Sequence, residues 1–281
     1  MVINCLKNLI MNNLIISVAT NFNPIAIERF VLSFRQFNIL DKILLIINKE
    51  DVKKHDRFIK KYKTDIEWYV VDDTYLFNKY YVITERFKYI SKILKNIDCD
   101  KVFMVDVRDV IFQDNIFKLN KLTFFKEADV IENEPYNRFV VNHVNSKAFQ
   151  IIKHLPIINA GTIYGPKNKI IDVCNSIYNN ISKIPVVLNE VNNPFNFDQG
   201  FLNVAVHYLK FADNDFDLSG NEDGYVNTIG LSCAYKNVDD NGFFVTKNGL
   251  KSCVVHQFDR CSKEMIKQLT QRGLPVDDLL N

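Results

Sequence analysis

Four short apolar runs rich in β-branched residues, each separated from the next by a stretch with helical spacing, constrain this chain more than any other feature. They are Leu14–Ala19, Lys42–Ile47, Ile66–Val71 and Lys101–Val105. Runs of this length bounded by turn residues read as buried strands. Between them, Pro24 opens a predicted helix, with Ile27, Phe30, Val31, Phe34 and Phe37 on one face. Glu50 to Lys63 reads as a charged surface helix, and Val82 to Leu94 places Phe87, Ile90, Ile93 and Leu94 on one face. Repeated strand–helix units predict an α/β fold, a mostly parallel central sheet flanked by helices on both faces. In such sheets ligands bind in the crevice beyond the carboxyl ends of the strands. Two of those ends carry suitable polar residues: Thr20-Asn21 after the first run, and Asp106 after the fourth.

The second half is less regular. Asn159 to Pro166 reads as a small-residue turn leading into a short strand, and Ile170 to Ile181 as a helix. A further helix is expected from near Asp198 to Leu209. From Phe211 to Gly249, Asn, Asp and Gly punctuate short strand-like pieces. With no internal repeat and no low-complexity linker, the 281 residues read as a single domain. The 22 Phe and 12 Tyr against 9 Gly and 7 Pro predict an aromatic core, large enough at this length to do without disulfides.

Charge excludes some partners. The 35 basic and 33 acidic residues are interspersed, and the clusters Lys53-Lys54 and Lys60-Lys61-Tyr62-Lys63 read as solvated helix faces. Neither a nucleic-acid stripe nor a polybasic membrane patch stands out. The six cysteines (Cys5, Cys99, Cys174, Cys233, Cys253, Cys261) form no C-x-x-C pair and read as free thiols in a reducing compartment. The apolar runs fall short of the roughly 20 residues that cross a bilayer. Met1 to Asn13 has no small-residue cleavage site and reads as a short extension. A cytoplasmic protein without a transmembrane segment is expected.

The sharpest chemical signal is Val102 to Val110, an apolar strand running into Asp106 and Asp109 with Arg108 between them. Carboxylates are hard ligands for Mg²⁺ or Mn²⁺, which in turn bind diphosphate oxygens. Arginine adds a fixed fork for phosphate or carboxylate. A plainer role fits the same residues: an Asp capping the next helix, with Arg108 in a salt bridge.

Met104 to Asp114 resembles the DxD region of GT-A glycosyltransferases, particularly a group with the signature D-x-R-D-V-x-F-Q. Upstream, Thr84-Glu85-Arg86-Phe87 to Leu94 is similar to the arginine-bearing helix that precedes the metal motif in these enzymes. Downstream, Asn159-Ala160-Gly161-Thr162 is similar to their N-[SA]-G strand. Asp198-Gln199-Gly200-Phe201-Leu202-Asn203 is similar to their D-Q-x-x-L-N helix, and His256-Gln257-Phe258-Asp259-Arg260 to their H-Q-[YF]-D-R. The matches keep the family order from about Leu14 to Arg260.

The resemblance implies a GT-A (Rossmann-like) fold with an irregular C-terminal half. A nucleotide-binding half would cover about 14–120, and an acceptor- and sugar-binding half about 121–281. It implies a glycosyltransferase, of hexosyltransferase type, moving a sugar from a nucleoside diphosphate to a hydroxyl of a glycan, protein or small molecule. UDP is favoured because most enzymes of this resemblance use it. The cofactor implied is a divalent metal, Mn²⁺ in preference to Mg²⁺. In the commonest DxD pattern the second Asp falls where this chain has Arg108. Either Asp109 takes over the metal contact, or Asp106 and a distant His make most of it, or Arg108 partly replaces the cation.

Asp106, Asp109 and His256 are the metal candidates. A histidine after Cys253-Val254-Val255 also suits a plain core role, but Gln257 and Asp259-Arg260 beside it favour ligation. His55, His143, His154 and His207 lack such context and are expected to be structural. Asp198 is read either as a helix N-cap or as a carboxylate facing the sugar or taking the acceptor proton; Arg108, the second catalytic candidate, would with Arg86 and the cation stabilise the departing diphosphate. Thr20, Asn21, Arg86, Asp106 and Asn159 are the expected donor-binding residues. For Arg86 the plain alternative is a salt bridge with Glu85; for Asn159, Ala160 and Gly161 it is a tight turn, the functional reading being close approach of a sugar. Glu132 and Glu134 are acceptor-side candidates.

Two rival functions use the same residues. A nucleotidyltransferase or phosphohydrolase could use Asp106 and Asp109, but the chain has no G-x-x-x-x-G-K and no G-x-G-x-x-G. A non-catalytic nucleotide-sugar-binding module would have Arg108 in the DxD gap as its best argument.

Overall fold

A computed structural model describes residues 12–38, 40–72, 79–184, 197–209 and 215–280, with backbone alone for 79–81. Most of the N-terminal extension, Cys5 and the segment 193–196 ahead of Asp198 lie outside the described residues. β1 (Asn13–Val18) leads to helix α1 (Pro24–Arg35) and β2 (Lys42–Asn48). Two short helices, α2 (Lys49–Lys54) and α3 (Asp56–Lys61), precede β3 (Glu67–Val71). Then α4 (Lys79–Leu94) runs into β4 (Lys101–Val105). The four strands lie parallel in the order β3-β2-β1-β4.

The apolar runs are continuous because both faces of the sheet are covered. Alternate residues of β1 divide between two cores. Leu14, Ile16 and Val18 pack with Phe87, Ile90 and Ile93 of α4, while Ile15 packs with Ile27, Phe30 and Phe34 of α1. The Asn23 side chain caps α1 by accepting from the Ile25 amide at 3.0 Å. Phe37, placed on the helical face by its spacing, lies beyond the helix end. The charged helix expected from Glu50 to Lys63 is broken at His55. No proline or glycine marks that break, so spacing alone could not reveal it.

After β4 the chain forms β5 (Val110–Phe112), β6 (Leu122–Val130), α5 (Pro135–Val144), α6 (Ser146–Ile152), β7 (Pro156–Pro166) and α7 (Lys167–Ile181). It continues through α8 (Phe197–His207), β8 (Phe216–Ser219), β9 (Val226–Thr228), β10 (Val254–His256), α9 (Lys263–Gln268) and α10 (Asp277–Leu280). β7 runs antiparallel between β4 and β6, which extends the sheet to β3-β2-β1-β4-β7-β6-β8. The turn expected at Asn159 is instead a bulge inside an 11-residue strand, where the register against β6 shifts between Phe124 and Lys126. Small residues suit a bulge as well as a turn. The backbone groups freed there find side-chain partners described below.

A second sheet, β5-β10-β9, explains the irregular C-terminal half. β10 pairs antiparallel with β5, Val254 opposite Phe112 and His256 opposite Val110. Gln113 ties this sheet to the loop between β9 and β10. Its side-chain amide donates to the carbonyls of Phe244 (2.8 Å) and Ser252 (3.1 Å), and its oxygen accepts from the Phe244 amide at 2.7 Å. Gln113 is fully buried. Gln113→Leu strands three backbone groups, each costing about 1–3 kcal/mol. We expect urea unfolding to show a loss of at least about 2 kcal/mol; an unchanged midpoint would mean that water replaces the side chain.

Candidate functional site

The nine catalytic, donor-binding and metal candidates, Thr20, Asn21, Arg86, Asp106, Arg108, Asp109, Asn159, Asp198 and His256, line one cleft of about 750 Å³ beyond the carboxyl ends of β1 and β4. Asp106 follows the last residue of β4, and Asp109 immediately precedes β5. The β5–β10 register carries His256 to the same place, and the Gln257 amide donates to the Asp109 carbonyl at 2.7 Å.

His256 Nε2 lies 3.8 Å from Asp106 Oδ2 and 3.7 Å from Asp109 Oδ1. One donor atom from each residue falls within 4.8 Å of the others. Donors about 2.1 Å from a single divalent ion would sit only slightly closer together than this. His256 is 2% exposed, and neither of its ring nitrogens has a hydrogen-bond partner. An orphaned buried imidazole facing two carboxylates is the arrangement a cation would complete, so the residues fit the implied metal.

The three groups and Arg86 also shift one another's titration. Burial would raise the Asp106 carboxyl, but the Arg86 guanidinium and His256 hold it well below the usual carboxylate range. Burial pushes Asp109 up, and His256 and Arg108 only partly offset burial and the nearby Asp106 and Asp259. Burial would lower His256, but Asp109 and Asp106 outweigh it and raise its pKa.

Arg86 divides its fork. Nη1 donates to Asp106 Oδ1 at 2.5 Å, and Nη2 donates to Asp198 Oδ2 at 2.7 Å and to the Ala160 carbonyl at 3.2 Å. The surface pair with Glu85 does not form; Glu85 pairs with Lys88 at 3.0 Å. Asp106 therefore turns one oxygen to Arg86 and the other to His256. Asp198 lies inside the first turn of α8, where the helix dipole favours a carboxylate, and its Oδ1 accepts from the Gln199 amide at 2.8 Å. Burial raises the Asp198 carboxyl against the pull of Arg86.

The β7 bulge forms the cleft floor. Asn159 Oδ1 accepts from the Gly161 amide at 2.7 Å, Gln199 Oε1 accepts from the Ala160 amide at 3.2 Å, and the Asp106 amide donates to the Gly161 carbonyl at 2.8 Å. Asn159 is 1% exposed, and its Nδ2 donates to Glu127 Oε1 at 2.9 Å. Glu127 and Gln199, both lining the cleft, were not among the sequence candidates for site residues. Gln199 sat inside a recognised motif, whereas nothing marked Glu127 in the charged second half of β6. Of the two acidic candidates nearby, Glu132 pairs with Lys153 at 3.5 Å away from the cleft. Glu134 lines the cleft and also caps α5, accepting from the Asn137 amide at 2.6 Å.

Thr20 is buried, and its hydroxyl accepts from the Asn48 amide at 3.1 Å, so it joins the ends of β1 and β2. Asn21 is exposed at φ 63°, in the left-handed region that asparagine tolerates, and its amide donates to Asp51 Oδ2 at 2.6 Å. Arg108 is half-exposed and pairs with Asp259 at 3.5 Å and Asp109 at 3.8 Å. It flanks the cation position without filling it.

No family model and no curated protein matches the chain by sequence. Solved structures match its fold. An active-site mutant of LgtC aligns with TM-score 0.53 at 11% identity over 92% of this chain and 95% of that one. The galactosyltransferase LgtC, in complex with donor and acceptor sugar analogues, aligns with TM-score 0.52 at 13% identity over the same shares. The glycosyltransferase GlyE of Streptococcus pneumoniae aligns with TM-score 0.53 at 15% identity over 96% of this chain and 62% of that one. The chain has the α/β fold of the GT-A glycosyltransferases, with the mostly parallel sheet that its strand–helix repeats imply.

Gly161 tests the triad directly. A Cβ there would sit 2.5 Å from Asp106 Oδ2 and 2.9 Å from His256 Nε2. Gly161→Ala should fold, because the two side chains can yield toward the cleft, yet lose at least tenfold in Mn²⁺ affinity by calorimetry. Unchanged Mn²⁺ affinity would place the cation elsewhere.

Proposed function

We propose that the chain is a glycosyltransferase that moves a sugar, most simply a hexose, from a nucleoside diphosphate to an acceptor hydroxyl with a divalent metal, Mn²⁺ in preference to Mg²⁺. The observation that carries this reading is the orphaned His256 imidazole facing Asp106 and Asp109 at the mouth of a GT-A cleft. UDP remains the favoured nucleotide, and the acceptor a glycan, protein or small molecule. We read 14–120 as the nucleotide-binding half and 121–281 as the sugar- and acceptor-binding half of a single domain. The cysteines among the described residues are free, which suits a cytoplasmic setting, and no helix among those residues is long and apolar enough to cross a membrane.

Asp106, Asp109 and His256 would hold the cation, which supplies positive charge against the charge that builds on the departing diphosphate. Arg108 and Arg260 flank the same part of the cleft and add donors for phosphate oxygens. Both oxygens of Asp198 are already engaged, one by Arg86 and one by the Gln199 amide. Each keeps a lone pair, so Asp198 is placed to hold sugar hydroxyls in a fixed orientation, a role closer to positioning than to taking a proton. Thr20 acts through the strand end it anchors, and Asn21 offers its exposed side chain to the nucleoside. Because Arg108 is drawn toward Asp259, it leaves room for a cation, which weakens the case for a non-catalytic module.

Incubation with a panel of nucleotide sugars and Mn²⁺ should release a nucleoside diphosphate. Asp106→Ala and Asp109→Ala should each abolish release and keep the fold; near-normal turnover in both, without added cation, would sink the metal assignment. UDP with Mn²⁺ should raise the melting temperature, and a larger rise with GDP or CDP would replace UDP as the donor nucleotide.

Asp198→Asn keeps the shape and removes the charge. We expect it to fold and to bind UDP normally; a loss of transfer of roughly 10²-fold or more would mean that Asp198 also takes the acceptor proton, and a smaller loss that it only positions the sugar. A fully active Asn variant would remove Asp198 from the machinery.

A further inference from the structure

Glu127 is a carboxylate in the cleft wall, 7% exposed, with no part in the chemistry set out so far. Its Oε1 accepts from Asn159 Nδ2 at 2.9 Å and from Gln199 Nε2 at 3.2 Å. Both amides are held the right way round by backbone donors. Asn159 Oδ1 takes the Gly161 amide and Gln199 Oε1 takes the Ala160 amide, so each side chain must turn its nitrogen to Glu127. The same Gln199 nitrogen also donates to Asn137 Oδ1 at 2.9 Å, and Asn137 Nδ2 donates to Glu134 Oε2 at 2.8 Å. Glu127 Oε1 is therefore fixed as an acceptor in a connected network.

Its other oxygen is different. Among the described residues no hydrogen bond reaches Glu127 Oε2. Outside the proposed metal triad, the other cleft carboxylates are engaged at both oxygens. Asp198 has Arg86 on one and the Gln199 amide on the other. Glu134 accepts from the Tyr136 amide at 3.2 Å through Oε1 and from Asn137 through Oε2. A ligand that displaces water from Oε2 without bringing a donor would strand a buried charge, which is strongly unfavourable. Place matters too. The field of His256 reaches Glu127, and its partner Asn159 stands two positions from Gly161, which packs against Asp106 and His256. Glu127 thus lies beside the triad, on the floor that a sugar joined to a diphosphate would cover.

We infer, on the glycosyltransferase reading, that Glu127 determines sugar specificity: Oε2 accepts a hydrogen bond from one hydroxyl of the transferred sugar. The donor is then a sugar with a free hydroxyl at that position. An analogue lacking it is rejected, because the buried oxygen loses its donor.

Glu127→Gln isolates the contact. Glutamine can keep its carbonyl oxygen on Asn159 and Gln199 while setting an NH₂ where Oε2 stood, so an acceptor becomes a donor and the network survives. The assay follows nucleoside diphosphate release from the nucleotide sugar that the wild-type chain uses fastest, and from its singly deoxygenated analogues. The Gln variant should bind UDP with Mn²⁺ within about twofold of wild type and lose at least about tenfold in kcat/KM. One deoxy analogue should slow the wild type by about tenfold or more, yet slow Glu127→Ala by less than about twofold relative to the parent sugar, the mark of two groups in contact. If Glu127→Ala fails to fold, Glu127→Gln carries the same comparison. Near-normal kcat/KM in the Gln variant, an equal loss of UDP affinity, or a deoxy series that slows wild type and variant alike would overturn the assignment. If the wild-type chain itself released no nucleoside diphosphate from any sugar, the glycosyltransferase reading would fall and this one with it.

Discussion

The cleft depends on one buried guanidinium. Arg86 on α4 reaches Asp106 at the end of β4, the carbonyl of Ala160 in the β7 bulge and Asp198 at the start of α8. Four elements from distant parts of the chain are thereby fixed by a single planar fork. Removing one partner from a buried ion pair costs far more than the pair contributes, because the remaining charge is stranded. A lysine could not take this role, since its point charge lacks the fork that spans two carboxylates. The ion pairs also explain why Asp106 stays ionised despite burial, which keeps its second oxygen available on the side of His256.

Much of the architecture of the N-terminal half was legible in the sequence, and for a physical reason. Strands covered on both faces must be apolar at every position, so Leu14–Val18 and Val102–Val105 stand out without any alternation. Asn23-Pro24 announces a helix start by its chemistry alone. The second sheet was not legible, because strands as short as Val226–Thr228 and Val254–His256 are too brief for any period to show. The β7 bulge was misread as a turn because Asn, Ala, Gly and Thr are favoured in both. What separates the two is whether distant side chains satisfy the freed amides, and here Gln199 does so from another helix.

The candidate residues were more legible as a set than in their individual contacts. Acidic residues at a strand end declare themselves, and the C-terminal histidine stood in a polar context that set it apart from His207, which bonds the Pro156 carbonyl. Partnerships were a different matter. Arg86 was read as a donor-binding residue, with a salt bridge to Glu85 as the plain alternative, whereas its partners are 20 and 112 positions away. Glu127 was passed over because it stands between Lys126 and Asp129, in a charged stretch that no motif marks. Only the approach of Asn159 and Gln199 gives it a setting.

The register that sets His256 opposite Val110 also closes a very long loop of chain. A cation held by the proposed triad would be a removable staple across that loop, since it would bind ligands from both ends of it. Loop closure restricts the unfolded chain more as the loop lengthens, though only logarithmically. If the proposed cation binds there, the stability of the second sheet would depend on the concentration of free metal.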